Sequence, residues 1–325
     1  MRSALLRGFA ALALLGGNGT PTHAQSYPTK PVRLIVPFAP GGTSEVLARI
    51  IAQKMAEILG QQFVIDNRPG AAGSLGTAMT ARSSPDGYTL VFTSLSPIVI
   101  NVSMYAGKPP YDPEKDLAPI SLITKVPSVL AAHPGVPART VKEIIAFAKA
   151  NPDKMSYGSS GTGSVNHLIG EMFRTAAGID LLHVPYKGAG QGLIALLSKE
   201  VDMILAAPPA VMPHVRSGQL HAIAVSGATR SSALPDTPTI AESGVPGFDA
   251  TAWYCMMAPA GTPRPIVNTI RASLIKAITV PPVSERLLRE GAAPEPSTPE
   301  ELGKLIHDDI KRWAKAVKLS GAKLD

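Results

Sequence analysis

The chain has 325 residues, 45% of them hydrophobic and 17% charged, which suits a globular protein of about two domains and excludes a chain that is mainly disordered. Its 31 basic and 24 acidic residues give a net charge of +7, or +5 once Arg2 and Arg7 are set aside (29 against 24). This excess is spread along the chain with no basic run, so no nucleic-acid partner is expected, and the overall field favours anionic ligands weakly. The one cysteine, Cys255, rules out an intramolecular disulfide and reads as a small core residue.

The first residues read as an export signal. Arg2 and Arg7 precede an apolar run, Phe9 to Leu15, which is too short to span a bilayer, and Thr22-His23-Ala24 resembles a small-residue cleavage site. Cleavage after Ala24 gives a mature start at Gln25, with no lipobox cysteine after the apolar run. No later stretch is long and apolar enough to cross a membrane, so a soluble exported protein without membrane insertion is expected.

The mature chain is organised around Val32 to Leu59. Val32 to Val36 is short, apolar and β-branched and reads as a buried strand. Phe38 and Ala39 lead through Pro40 into Gly41 and Gly42, and a helix follows with Thr43 or Ser44 as its N-cap and Glu45 in its first turn. Such a strand, glycine turn and helix start aims free N–H groups and a positive dipole end at one point, a site for a carboxylate. Arg49 stands at helical spacing from Glu45, so it can pair there or reach a ligand.

The pattern recurs. Gln62 to Asp66 reads as a strand, Asn67 to Gly76 as a glycine-rich turn containing Gly70, Ala71, Ala72, Gly73 and Ser74, and Thr77 to Arg82 as a helix. Tyr88 to Phe92 is a third strand ending in Thr93 and Ser94. Three strands joined by helices are the βαβ pattern of a sheet that binds ligands at its strands' carboxyl ends. Tyr105 to Asp116 reads as a loop, and Leu117 to Leu130 as an apolar crossing interrupted by Pro119 and Pro127.

A second α/β unit follows. Thr140 to Glu143 is a capping box for a helix that ends at Asn151-Pro152. Met155 to Tyr157 is a strand, Gly158 to Ser164 a third small-residue turn and Val165 to Ala177 a helix. Leu181 to Tyr186, Asp202 to Ala206 and His221 to Val225 are strands, with helices at Gln191 to Ser198 and Pro209 to Ser217. After the proline-rich link Pro235 to Gly247, the strand Thr251 to Met257 returns to the first unit, and helices at Pro265 to Thr279, Val283 to Arg289 and Pro299 to Leu319 close the chain. Two crossings between two units imply a clamshell with a hinge, and the three turns imply three walls of one pocket.

The run Pro37 to Glu45 with Ala48-Arg49, the turn Asn67 to Gly76, Pro85-Asp86-Gly87-Tyr88, Tyr157 to Ser164 with His167-Leu168, and His183 to Gly188 together resemble one family. Leu234 to Thr239 and Ala258 to Pro263 extend the likeness over nearly the whole mature chain. It is similar to the periplasmic receptors of tripartite tricarboxylate transporters, the Bug receptors. The resemblance implies an α/β, type II periplasmic binding-protein clamshell with a mixed sheet flanked by helices in each lobe. Residues 25–124 and 247–325 would form the first lobe and 125–246 the second.

It further implies a monomeric, non-enzymatic receptor for a small carboxylate, with membrane transporter subunits as partners and no cofactor. In that family the first two turns hold a carboxylate largely through backbone N–H groups and ordered water. Here they correspond to Phe38, Ala39, Gly41, Gly42, Thr43 and Ser44, and to Gly70 through Ser74, with Thr93 and Ser94 at the third strand end. The second lobe would contribute Ser159, Ser160, Thr162, Gly163, Ser164 and His167. The chain departs from the family pattern at Glu45, where the family usually has Asp, and at Leu205 to Pro209, where it often has an Asp. The second departure points away from a ligand ammonium at that end.

Other chemistries find little support. His133, His183, His214, His221 and His307 show no metal spacing. Ser160 lacks the second glycine of a nucleophile elbow, and Ser273 with Lys276 has none of the companion motifs of a Ser-x-x-Lys enzyme. An exported serine hydrolase using Ser160 or Ser164 with His167 is the alternative from another class.

Overall fold

The computed structural model describes residues 27–320, apart from 39, 41, 42, 106–108, 187, 188, 232 and 233. The signal segment and the expected site residues Ala39, Gly41 and Gly42 lie outside the described residues.

The first sheet is built from β1 (Val32–Val36), β2 (Phe63–Asn67), β3 (Thr89–Ser94), β4 (Leu117–Pro127) and β10 (Thr251–Pro259), in the order β2-β1-β3-β10-β4. β1 lies parallel to both neighbours, Leu34 facing Ile65 on one side and Leu90 on the other. The returning β10 runs antiparallel between β3 and β4. The sheet is therefore mixed. Proline cannot donate to a ladder, and β4 absorbs Pro119 where the register shifts between Met256 and Met257.

Helices α1 (Thr43–Leu59), α2 (Ser74–Ala81) and α3 (Asn101–Met104) connect these strands, α2 preceded by a 3₁₀ turn at Ala71–Gly73 and α3 by a π-helical turn at Ser96–Ile100. α2 begins three residues before the expected Thr77, because the glycine-rich turn is itself wound into the helix start. The helical stretch after β3 falls where the sequence reading assigned no element. Its β-branched residues carry no helical signal, and burial of Ile98, Val99 and Ile100 outweighs their propensity.

The second sheet holds β5 (Val129–Ala132), β6 (Ser156–Ser159), β7 (Leu182–Pro185), β8 (Met203–Ala206) and β9 (His221–Val225) in the order β7-β6-β8-β5-β9. β6 is parallel to β7 and β8, and β5 is antiparallel to β8 and β9. Helices α4 (Val141–Ala150), α5 (Val165–Ala177), α6 (Ala189–Leu197) and α7 (Pro208–Arg216) flank it. The cap of α4 is formed by the Thr140 hydroxyl on the Glu143 N–H, while the Glu143 carboxylate takes the Arg139 N–H one residue before the expected partner.

α8 (Arg264–Thr279), α9 (Pro281–Arg289) and α10 (Pro299–Ser320) complete the chain. α10 ties the two sheets together: its fully buried Trp313 joins one apolar cluster with Val91 and Cys255 of the first sheet and Leu130 and Tyr157 of the second. The chain passes between sheets at 127–129 and again at 226–251, and Ser226 locks the two passages to each other. Its hydroxyl accepts the Ser128 N–H at 2.9 Å and donates to the Ala250 carbonyl at 2.8 Å.

Candidate functional site

A cavity of about 510 Å³ opens at the carboxyl ends of β1, β3, β6 and β8 and takes its wall from both sheets. This is where ligands bind in parallel α/β sheets, and the volume lies in the small-molecule range. The first sheet supplies Phe38 after β1, Thr43 and Ser44 at the start of α1, Ala72, and Ser94, Leu95 and Ser96 after β3. The second supplies Ser160, Gly163 and Ser164 after β6, Val165 and Asn166 opening α5, and Leu205, Ala206, Ala207 and Ala210 around the start of α7. Val126, Ser128, Ala252 and Tyr254 line it from the crossing strands.

No Asp, Glu, Lys, Arg or His stands among these wall residues. The electrostatics come instead from helix starts: α1, the π-helical turn, α5 and α7 all begin on the cavity. Their N-terminal ends carry partial positive charge, and those of α1 and α5 also carry orphan N–H groups, whereas α7 opens on Pro208 and Pro209, which have none. Around them stand hydroxyls, among them Ser44 and the Tyr254 phenol; burial holds that phenol above its ordinary pKa. Such a wall can accept an anion by hydrogen bonding, without a countercharge.

The turns of the first sheet are pinned to one another. Asn67 Nδ2 donates to the Phe38 carbonyl at 3.0 Å, joining turns one and two. Gly76 lets α2 lie against Pro37: a Cβ there would meet the Arg68 carbonyl oxygen at 2.7 Å and Pro37 Cα at 2.9 Å. Within the second turn Ala71 and Ala72 adopt left-handed φ values of 45° and 50°, which cost side-chain-bearing residues free energy. Asn101, 1% exposed, holds them there; its Nδ2 reaches the carbonyls of Ala71 and Ala72 at 3.3 and 3.0 Å and Ser74 Oγ at 2.9 Å.

The turn after β6 is braced from behind by histidines. Gly163 N–H donates to His167 Nδ1 at 2.9 Å, and the His167 ring stacks on His183 with centroids 3.9 Å apart. His183 Nε2 meets Ser159 Oγ at 2.6 Å. Burial lowers both imidazoles, His183 to about 4 with further help from the neighbouring His167. Tyr157 donates to Glu171 at 2.8 Å beneath this stack, and burial first, then Glu171, pushes its phenol up.

Eight of the expected residues meet on the cavity: Phe38, Thr43, Ser44, Ala72, Ser94, Ser160, Gly163 and Ser164. The rest of the described set lies off this wall. Gly70, Ala71, Gly73 and Ser74 are not on the wall, because the second turn faces it only through Ala72. Thr93 is fully buried, since side chains alternate along β3 and Ser94 takes the cavity side. Ser159 is fully buried against His183, and Thr162 is exposed away from the wall. His167 is 3% exposed and acts as a brace behind Gly163.

Thr43 and Ser44 are already inside α1, so neither is its N-cap. Arg49 pairs with Glu45, which is 7% exposed, and Arg68 pairs with Asp66 at 2.8 Å. Among the described residues the Ser160 hydroxyl donates to Asn166 Oδ1 at 2.7 Å, the Ser164 hydroxyl to the Gly161 carbonyl at 2.6 Å, and His167 Nδ1 accepts the Gly163 N–H, so neither serine of the hydrolase alternative is paired with that imidazole. Among the described residues there is no group of metal ligands and no helix long and apolar enough to cross a membrane.

Asn166, Ser128 and Tyr254 were not anticipated as cavity residues, whereas the stretch Leu205 to Pro209, expected at one end of the ligand, reaches the wall through Leu205, Ala206 and Ala207. Asn166 was within reach of sequence reasoning: it is the second residue of a helix expected to start at Val165, directly after the turn that ends at Ser164. Tyr254 follows from strand alternation, because its neighbour Trp253 turns to the opposite face and donates to Asp309 at 2.7 Å.

Comparison with known proteins accords with this geometry. A model of the tripartite tricarboxylate transporter family receptor, TctC, matches residues 47–321. Protein BugT of Bordetella pertussis is 38% identical over 309 residues, covering 95% of this chain and 94% of that protein. The structure of R. palustris Rpa4515 with adipate has a TM-score of 0.82 at 35% identity, over 92% of this chain and all of the other (100%). Periplasmic binding protein BugD aligns with a TM-score of 0.78 at 35% identity, over 91% of this chain and 99% of the other. The two mixed sheets with their flanking helices are the two-lobed fold of these periplasmic binding proteins.

Proposed function

Because this chain belongs to the tripartite tricarboxylate transporter receptor family, we propose that it is a periplasmic solute receptor. It captures one small organic carboxylate and presents it to the membrane subunits of such a transporter. The observation that carries this reading is the convergence of helix starts on a cavity wall whose described residues include no Asp, Glu, Lys, Arg or His. A carboxylate completes donors that the fold leaves open there, and nothing on the wall is placed to attack it.

In this reading the chain is exported, loses residues 1–24 and works as a monomer. Residues 25–124 with 247–325 form one lobe, 125–246 the other, and the two close about the crossings tied by Ser226. Closure is driven by the ligand only so far as it binds the closed form more tightly than the open one. The ligand is held by Thr43, Ser44, Ser94, Ser160 and Ser164 with the helix-start N–H groups, and the neighbouring turn residues hold the frame.

The test is a calorimetric and thermal-shift screen of the chain beginning at Gln25 against mono-, di- and tricarboxylates, each beside its uncharged amide. At a hundredfold excess over Kd a true ligand stabilises the folded state by about 2.7 kcal/mol. An acid that binds where its amide does not is the expected result. A screen in which no acid binds would overturn the reading.

A further inference from the structure

The cavity wall differs from end to end in its hydrogen-bonding capacity. α7 begins on it through Ala207 and Ala210, but its first turn brings almost no donors. Its first two residues are Pro208 and Pro209, which lack an N–H, and the third, Ala210, gives its N–H to the Ala207 carbonyl at 3.1 Å. The wall residues of this stretch itself, Leu205, Ala206, Ala207 and Ala210, are all hydrocarbon, and one hydroxyl, that of Ser128, stands beside it just beyond the Val129–Ala206 pair of the β5–β8 ladder.

The start of α5 is different. Asn166, 9% exposed, accepts on Oδ1 from both the N–H and the hydroxyl of Ser160, at 3.4 and 2.7 Å. An N–H only donates, so the oxygen of this amide is fixed on Ser160. Nδ2, with no other partner among the described residues, remains a donor on the cavity wall. Together with the first N–H groups of α5 and the start of α1, it forms one region rich in donors.

A carboxylate taken from water needs a cation or several donors. Among the described residues the wall provides such a set where α1 and α5 open, carries no cation, and offers at α7 only the single hydroxyl of Ser128. An ammonium at α7 would be equally unmatched, because the wall carries no acid. Taking the carboxylate reading above as its premise, we infer that the ligand is a monocarboxylate. Its charged end sits between the starts of α1 and α5, and its other end is a neutral, apolar or aromatic tail against Leu205 to Ala210. This class differs from the adipate held by the R. palustris relative.

Isothermal titration of the chain from Gln25 with two matched pairs tests it: hexanoate beside adipate, and 4-methylbenzoate beside terephthalate. In at least one pair the monoacid binds tenfold or more tightly than its diacid. The double variant Pro208→Ala/Pro209→Ala returns two N–H groups to the start of α7 and shifts that ratio at least fivefold toward the diacid. A diacid that binds as tightly as its monoacid in both pairs overturns the inference and leaves the carboxylate reading standing. Failure of every acid in the wider screen overturns the carboxylate reading itself. A folded double variant with an unchanged ratio overturns the assignment of the preference to α7, and if that variant does not fold the wild-type ratios decide.

Discussion

The backbone N–H of Gly163, on the cavity wall, donates to Nδ1 of His167 behind it across 2.9 Å. That bond requires the nitrogen to be unprotonated, so the imidazole holds the turn only while it is neutral. Burial lowers His167, and His183 stacked on it titrates at about 4. The unfolded chain, with ordinary imidazoles near 6.5, then binds protons that the folded chain refuses. Stability from these rings is complete above about pH 6.5 and is lost as pH falls toward 4. His183 alone sets an upper bound of about 3 kcal/mol, and its partial exposure reduces this to ~1–2 kcal/mol. Urea denaturation at pH 7 and pH 4.5 measures the loss, and His183→Gln flattens the dependence; equal stability at both values would remove the role given to this pair.

Asn101 is expected to be worth more than its distance from the cavity suggests. Asn101→Leu keeps its size but removes the Nδ2 donor that holds Ala71, Ala72 and Ser74. The variant loses about 2–3 kcal/mol of stability, since the left-handed turn then lacks its support. Its affinity for the ligand falls at least tenfold because Ala72 leaves the wall. Denaturation and titration of the same variant check both effects, and a loss below about 0.5 kcal/mol would show the turn to be self-supporting.

Arg49 is the cation closest in sequence to the first glycine turn, yet it spends its charge on Glu45. Its side chain is 65% exposed, so Arg49→Ala costs less than about 1 kcal/mol of stability. Ligand affinity is unchanged to within twofold. A tenfold weakening in the titration would place the guanidinium on the ligand instead.

Gly76→Ala tests how closely the first two turns are packed. The added methyl meets main-chain atoms on both sides, the Arg68 carbonyl oxygen and Pro37 Cα, neither of which can swing aside as a side chain would. Overpacking of this kind costs about 1–3 kcal/mol, and the melting temperature falls accordingly. A melting curve that coincides with wild type would mean that the turns separate easily.

The sequence by itself determined the elements and the family. α5 spans Val165–Ala177 as expected, because its start and stop are local: the Ser164 hydroxyl accepts the His167 N–H, and Gly178 takes the left-handed φ of 59° that ends it. The strands followed from short apolar runs between turn residues, and the return of β10 from the two crossings. The helical stretch after Ser94 was hidden, because Ile98, Val99 and Ile100 are helical only by virtue of the core they enter.

Only the tertiary structure decided which donors the glycine turns still have to offer. The small-residue turn after β6 reads as an open anion site, yet His167 takes the Gly163 N–H from within the next helix and Ser159 is buried by His183, which comes from a strand 24 residues away. Likewise Asn101 reaches back about 30 residues to shape the second turn. Composition and periodicity report what each residue prefers beside its neighbours along the chain. Whether a polar group stays unpaired depends on what packs against it, and only folding brings those partners together.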